Sequence, residues 1–207
     1  MNRLPDPPAP GELARIPAVV RRLPAGTVLW RVHFQAGPHP AAWNAFRAFG
    51  PTQNRFDHHL PPPRSRGRSI LYASLNVLTC FAEVFQETHE IDVRKDAPAL
   101  TAFAIRRPLR LLDLRGVWPT RAGGSLAINA GERGRSRAWS RAIYRAYPRL
   151  HGLWYASSMD ANRPAVALYD RAVRAMPAAP AFYRQLQDPA LADVLRKAAA
   201  RFRYDVQ

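Results

Sequence analysis

The stretch SILYASLNVLTCFAEVFQE, residues 69–87, joins an apolar, β-branched run to a run with helical periodicity. Residues 69–73 predict a strand, and Ser74 is placed to cap a helix over residues 75–89. Along that helix the apolar side chains share one face, while Glu83 falls on another face with polar neighbours. A carboxylate therefore stands on the helix that directly follows a strand, and periodicity does not force it into the core.

The other strand and helix signals predict a mixed α+β domain. Helices are expected over 40–50, where Gly50 would end a short helix, over 136–147 before Pro148, and after Asp188. Strands and helices do not alternate regularly, so a mixed β-sheet core flanked by helices is favoured over a doubly wound sheet. Strands are expected where β-branched, aromatic or apolar runs are bounded by turn residues: 27–34, 69–73, 99–105, 109–114, 152–157 and 165–170.

Length and composition indicate one domain with a short tail. Residues 1–12 contain four prolines and little apolar content, which predicts a disordered or extended tail. Residues 13–207 are long enough, at 47% hydrophobic for the whole chain, to bury one core. No repeat divides them, and the proline-rich segment 51–68 predicts a loop.

The chain is strongly basic, with a formal net charge of +16. Of its 31 basic residues only Lys95 and Lys197 are lysines, so 31 − 2 leaves 29 arginines. Such an excess arises from coding bias as readily as from selection for a polyanion, and an acidic protein partner explains it as well as nucleic acid does. Direct nucleic-acid binding is therefore not favoured on charge alone.

Cysteine usage and hydropathy predict a cytoplasmic protein. Cys80 is the single cysteine, which excludes an internal disulfide framework and a cysteine-based metal cluster. The N-terminus has no apolar segment typical of an export signal, and polar residues interrupt the most apolar run, 70–85. We expect no membrane insertion and no metal. Adjacent histidines at 58 and 59 point to opposite sides of an extended chain and lack a spaced third ligand.

Periodicity alone leaves Glu83 open to two interpretations, a solvated helix residue or a functional carboxylate. The order of short motifs across residues 27–170, with Glu83 eleven positions after Tyr72, decides between them. It resembles the RES domain family, which is named for its arginine, glutamate and serine. The motifs are LWRV with Arg31, NRF with Arg55, LYAS with Tyr72, AEV with Glu83 and GLWYASS with Ser157. In the family the second arginine usually follows glycines, whereas TQNRFDHH has none and adds Asp57.

The resemblance implies a toxin of a bacterial toxin–antitoxin system that degrades NAD+, on a fold similar to that of ADP-ribosyltransferases. It also implies a cognate antitoxin of the helix-turn-helix type. NAD+ would be the substrate, and no cofactor is expected. The bond between nicotinamide and ribose would be cleaved, and the ADP-ribosyl group would pass to water or inorganic phosphate. ADP-ribosyl transfer to a macromolecule, or a nucleic-acid-binding or ribonuclease activity of the basic surface, are the alternatives, and the sequence leaves a homodimer open.

Each site residue has a predicted role under this resemblance. Glu83 would stabilise the positive charge that develops on the ribose, because a carboxylate acts on charge that appears only in the transition state. Arg31 and Arg55 have planar guanidinium groups suited to binding phosphate oxygens. Arg31 is also expected to take part in catalysis. Tyr72 would contact the ribose, and Ser157 would position the substrate through its hydroxyl.

Arg137, Arg141 and Arg145 recur every four residues and therefore share one helix face. This stripe is either solvated or meets an acidic partner or a phosphate.

Overall fold

A nine-stranded mixed sheet forms the centre of the computed structural model, which describes residues 4–207. The strands are β1 (Val20–Leu23), β2 (Val28–Phe34), β3 (Arg47–Gly50), β4 (Arg64–Ser74), β5 (Glu90–Ile91), β6 (Pro98–Ala104), β7 (Leu109–Asp113), β8 (Gly152–Ala156), β9 (Pro164–Tyr169), β10 (Phe182–Gln185) and β11 (Asp205–Val206). The helices are α1 (Pro10–Leu13), α2 (Val77–Val84), α3 (Trp118–Arg121), α4 (Arg133–Ala146) and α5 (Ala192–Phe202). Short 3-10 turns span Leu126–Asn129, Asp170–Ala175 and Pro189–Leu191.

The sheet runs in the order β1-β7-β8-β9-β4-β2-β6-β10, with β3 paired to β4. Its pairs are antiparallel except for β7 with β8, and β5 and β11 form a separate parallel pair. The predicted α+β class, a mixed sheet flanked by helices, is confirmed.

The sheet is nearly divided between β2 and β4. These strands pair at one position, Trp30 with Ser74, whereas β2 pairs with β6 along its whole length. The two halves therefore diverge from this point. Since β4 leads through Ser74 into α2, the divergence brings that helix to the boundary between the halves.

Three apolar clusters cover the sheet. On one face, the first cluster packs α1, α3 and α4 on β4, β7, β8 and β9, and the third packs α2 and α5 on β2 and β6. The second cluster covers the other face. Alternation along β4 is clear, because Ile70 and Tyr72 pack with the first cluster and Leu71 with the second.

Three predicted elements differ from the structure. The prediction of a helix over residues 40–50 was wrong, because residues 47–50 form β3 and pair with β4. Helix α2 spans Val77–Val84 rather than residues 75–89. It begins later than predicted because the Asn76 side chain, and not Ser74, accepts hydrogen bonds from the backbone N–H groups of Leu78 and Thr79. The expected loop over 51–68 ends earlier than predicted, since β4 already begins at Arg64.

The expected N-terminal tail is ordered from residue 4 onward, and residues 1–3 lie outside the described chain. Leu4 is buried in the first cluster, and the carbonyl of Pro5 accepts a 2.8 Å hydrogen bond from the Trp139 indole. Residues 10–13 then form α1, which packs on α4. A buried leucine and a satisfied indole anchor this segment, which composition alone made a candidate for disorder.

Among residues 4–207, no helix is long and apolar enough to cross a lipid bilayer.

Candidate active site

Helix α2 carries Glu83 to the boundary between the two halves of the sheet. Phe81 and Ala82 are fully buried beside it, so the helix is fixed by packing on one side. Glu83 lies in the last turn, directly before the helix ends at Val84. The short, capped helix therefore holds the carboxylate in one place rather than on a solvated face.

Two side chains of the β8 segment contact this carboxylate. The Ser157 hydroxyl donates to Glu83 Oε1 at 2.5 Å, and the Tyr155 hydroxyl lies 3.4 Å from Oε2. Burial raises the pKa of Glu83, while the hydrogen bonds from Ser157 and Tyr155 and the charges of Arg55 and Arg133 partly oppose that rise. A desolvated carboxylate with defined donors is typical of functional sites.

Arg55 supplies the nearest predicted cation. Its guanidinium donates to the carbonyl of Gly131, just before α4. Burial lowers the pKa of Arg55, as does the charge of Arg133, whereas Glu83 and the two tyrosines of the site raise it. The charges of Arg55 and Glu83 thus act on each other's pKa.

The loop that carries Arg55 is tightly held. Phe56 is fully buried, its ring centroid lies 4.7 Å from that of Tyr155, and its carbonyl accepts a 2.7 Å hydrogen bond from Ser140. Asp57 is also fully buried and accepts hydrogen bonds from Arg47, His59 and both the N–H and the hydroxyl of Thr52. This loop, which lacks the glycines that usually precede the second arginine of the family, is thus held by a buried polar network.

The network includes Asp57 and His59 of the DHH sequence. Burial raises the pKa of Asp57, but the bond from His59 and the charge of Arg47 outweigh it and bring the pKa well below its usual range. His58 is buried among aromatic rings, and burial lowers its pKa to about 4. No group of three or more metal-binding side chains occurs within residues 4–207.

Tyr72 lies on β4, with its side chain on the same face as Tyr155. Its hydroxyl is buried and has no hydrogen-bond partner among the described residues. Burial raises the pKa of Tyr72 well above its usual value, so the phenol stays protonated at neutral pH. An unsatisfied buried donor in a polar cluster is a group that a ligand could engage.

Ser157 is held by its own loop as well as by Glu83. Its hydroxyl accepts from the backbone N–H groups of Met159 and Asp160, each at 3.2 Å. Asp160 in turn accepts from Thr79 on α2 and from Arg201 on α5. The serine is therefore oriented by a network that ties α2, α5 and the β8–β9 turn together.

Arg31 is the predicted site residue that the structure does not bring to Glu83. Its guanidinium donates to the carbonyls of Trp43 and Ala45, both at 2.9 Å, and it forms no ion pair within residues 4–207. Burial lowers its pKa to about 10. Its neighbour two positions before, Leu29, packs in the second cluster, so Arg31 leaves the sheet on the face opposite Tyr72. Its predicted catalytic and binding roles stay predictions.

Sequence reasoning missed Tyr155, Asp160 and Arg133. Tyr155 could have been found, because it precedes Ser157 by two residues and alternation sends both side chains to the same side of a strand. Asp160 and Arg133 carried no comparable signal. Arg133 starts α4 and donates to Glu87 at 2.6 Å and to Gln86 at 3.1 Å, contacts between segments distant in sequence.

Together these residues form a polar cluster with one half-buried carboxylate, a hydroxyl donor bound to it, two protonated phenols and an arginine. Such a set can stabilise a developing cation beside the carboxylate while the arginine binds an anionic group of the same molecule.

Comparisons with known proteins give a family and a similar fold. No curated protein matches the sequence. A similar solved chain, 16% identical, comes from the crystal structure of the M. tuberculosis MbcT–MbcA toxin–antitoxin complex; the match covers 85% of this chain and 92% of that chain with a TM-score of 0.55. The model of the RES domain family matches residues 28–192, which is most of the sequence and includes every predicted site residue. The chain belongs to the RES domain family.

Proposed function

We propose that this protein is a toxin enzyme that consumes NAD+ by cleaving the bond between nicotinamide and ribose. The observation that carries the proposal is the half-buried Glu83 carboxylate, which accepts a hydrogen bond from Ser157 and whose pKa is lowered by the charge of Arg55. The substrate class follows from the motifs shared with the RES domain family, and the structural likeness to a chain of a toxin–antitoxin complex supports a toxin.

In this proposal Glu83 acts on the ribose. When the carbon–nitrogen bond breaks, its electron pair leaves with nicotinamide and the ribose gains oxocarbenium character, as in glycoside cleavage. An ionised carboxylate in a desolvated cleft stabilises that charge more strongly than it would in water. Ser157 fixes the orientation of the carboxylate through its 2.5 Å bond.

Arg55 binds the pyrophosphate or an attacking inorganic phosphate. Its planar fork has donors left after the bond to the Gly131 carbonyl, and arginine binds phosphate oxygens bidentately. The free hydroxyl of Tyr72 donates to the ribose. Arg31, bound to backbone carbonyls on the other face, supports the loop at residues 43–45 and is proposed to act on the substrate only through that loop.

The acceptor is water or inorganic phosphate. Attack by water yields ADP-ribose and a proton, which Glu83 is placed to accept as a general base. Attack by phosphate yields a phosphorylated ADP-ribose. Transfer to a macromolecule would break the same bond and differ only in the acceptor.

Incubation of the purified protein with NAD+, with and without phosphate, followed by separation of the products, tests the proposal. Released nicotinamide with ADP-ribose indicates hydrolysis, and a new phosphate ester that requires phosphate indicates phosphorolysis. NAD+ that stays intact in both samples, together with degradation of added RNA, would replace the proposal with the ribonuclease alternative.

We further propose an antitoxin partner of the helix-turn-helix type and activity in the cytoplasm. The first follows from the family motifs and from the toxin–antitoxin complex to which the fold is similar. Co-expression with the product of an adjacent gene should restore growth and should yield a complex on size-exclusion chromatography.

A further inference from the structure

The N-terminal part of β4 pairs with another strand on one side only. Strand β9 pairs with residues 70–74 of β4, and β3 pairs on the opposite side with Arg64, Ser65 and Ile70, which leaves a bulge at residues 66–69. On the side of β9, residues 64–69 have no strand partner within the described chain. An unpaired edge of this kind offers backbone N–H and C=O groups to another extended segment.

Arginines occupy alternate positions of this segment. Arg64, Arg66 and Arg68 all line one cavity, so their side chains lie on the same side of β4. None of the three forms an ion pair within residues 4–207, and the buried Nε of Arg66 has no acceptor there.

These arginines line a cavity of about 310 Å³ that is separate from the candidate active site. Its walls include the Arg68 guanidinium, which stacks over the Tyr144 ring at 4.7 Å. Burial lowers the pKa of Arg68, and nearby Arg145 of the α4 stripe lowers it further. No acidic residue lines the cavity. Its lining residues are His59, Leu60, Arg64, Arg66, Gly67, Arg68 and Tyr144.

We propose that residues 64–69 dock an extended acidic segment of a partner protein, which pairs with the free edge of β4 and places alternate carboxylates on the arginines. Charge complementarity identifies the occupant as an anion, and two further observations favour a peptide over nucleic acid. Carboxylates at alternate positions of an extended peptide lie on one side of its backbone, as the three arginines lie on one side of β4. The free strand edge offers hydrogen bonds that a peptide backbone can complete and a phosphate backbone cannot.

Three synthetic peptides of equal length test this proposal, with binding followed by amide chemical shifts of the whole, isotope-labelled protein. The first alternates glutamate with threonine, the second replaces each glutamate by glutamine, and the third groups the same glutamates in one block. We expect the alternating peptide to bind most tightly and to shift the amides of residues 64–69. The glutamine peptide should bind at least about tenfold more weakly, because it lacks the charge that strengthens hydrogen bonds to arginine.

A double variant, Arg64→Glu with Arg66→Glu, should weaken binding of the alternating peptide at least about tenfold. The matched control is Arg106→Glu with Arg107→Glu, which changes net charge equally at an exposed turn between β6 and β7. That control should bind like the parent. If the first variant does not fold, the ranking of the three peptides on the parent protein still decides the question.

Two outcomes would overturn the proposal. Equal binding of the alternating and block peptides would show that charge attracts them without strand pairing. Tighter binding of an oligothymidylate than of the alternating peptide, with loss of that binding in the Arg64 and Arg66 variant, would assign the surface to nucleic acid. Neither outcome affects the proposed reaction, because the cavity shares no residue with the site around Glu83.

Discussion

Replacement of Glu83 by glutamine separates the function of this carboxylate from its packing. Glutamine has nearly the same shape and can still accept the hydrogen bond from Ser157, so the cleft keeps its geometry. What disappears is a negative charge in a desolvated site, opposite a cation that exists only in the transition state. Removal of one preorganised electrostatic group of this kind costs about 10²- to 10³-fold in rate, or roughly 3 to 4 kcal/mol. We therefore expect at least about a hundredfold loss of NAD+ cleavage with near-normal NAD+ binding.

The thermal stability of Glu83→Gln at pH 7 should be equal to or higher than that of the parent. Burial raises the pKa of Glu83 in the folded protein above its usual 4.5. At pH values between 4.5 and the folded pKa, the folded state therefore binds more protons than the unfolded state. The ionised carboxylate thus lowers stability above its folded pKa, and this effect vanishes as the pH falls below 4.5. At pH 7 the melting temperature of Glu83→Gln should equal or exceed that of the parent, and the two should converge in acid.

The assay follows nicotinamide release under saturating NAD+, with binding measured by calorimetry and unfolding by circular dichroism. Glu90→Gln serves as the matched control, because Glu90 is an exposed glutamate on β5 and forms no ion pair in the described chain. It should cleave NAD+ like the parent. A Glu83→Gln protein that cleaves NAD+ at the parental rate would refute the reasoning and return Glu83 to a packing residue.

Four further expectations follow from the geometry. Ser157→Ala removes a hydrogen bond that lowers the pKa of Glu83, so the acid limb of kcat/KM should move to higher pH; an unmoved limb would count against that contact. Asp57→Asn should cost about 3 kcal/mol in urea unfolding at pH 7, and because the pKa of Asp57 is lowered, the difference should shrink in acid; a pH-independent difference would contradict this. Leu4→Ala should cost about 2 kcal/mol, and an unchanged midpoint would mean that the N-terminal segment is dispensable. Expression without a partner should stop growth as cellular NAD+ falls; arrest at constant NAD+ would argue against the proposed reaction.

Local patterns in the sequence were sufficient for much of the fold. The apolar runs that form β2, β6, β8 and β9 and the strand-to-helix transition after Ser74 depend on neighbouring residues, and propensity and side-chain period report such local effects. The motif order likewise identified Glu83 and Ser157, which the structure joins by a hydrogen bond. It did not identify Asn76 as the helix cap, because serine and asparagine cap equally well and only the backbone decides between them.

Tertiary structure alone decided the rest, since those features depend on contacts between distant segments. Residues 47–50 belong to a sequence pattern that predicts a helix, but they form β3 because β4 offers an edge to pair with. The N-terminal segment is ordered by the Trp139 indole, 134 positions away. Arg55 and Arg31 look equivalent as arginines in motifs, yet Arg55 donates to the carbonyl of Gly131 just before α4, whereas Arg31 donates to the carbonyls of Trp43 and Ala45. Sequence order specifies which residues a chain carries, and only packing determines which of them share a cleft.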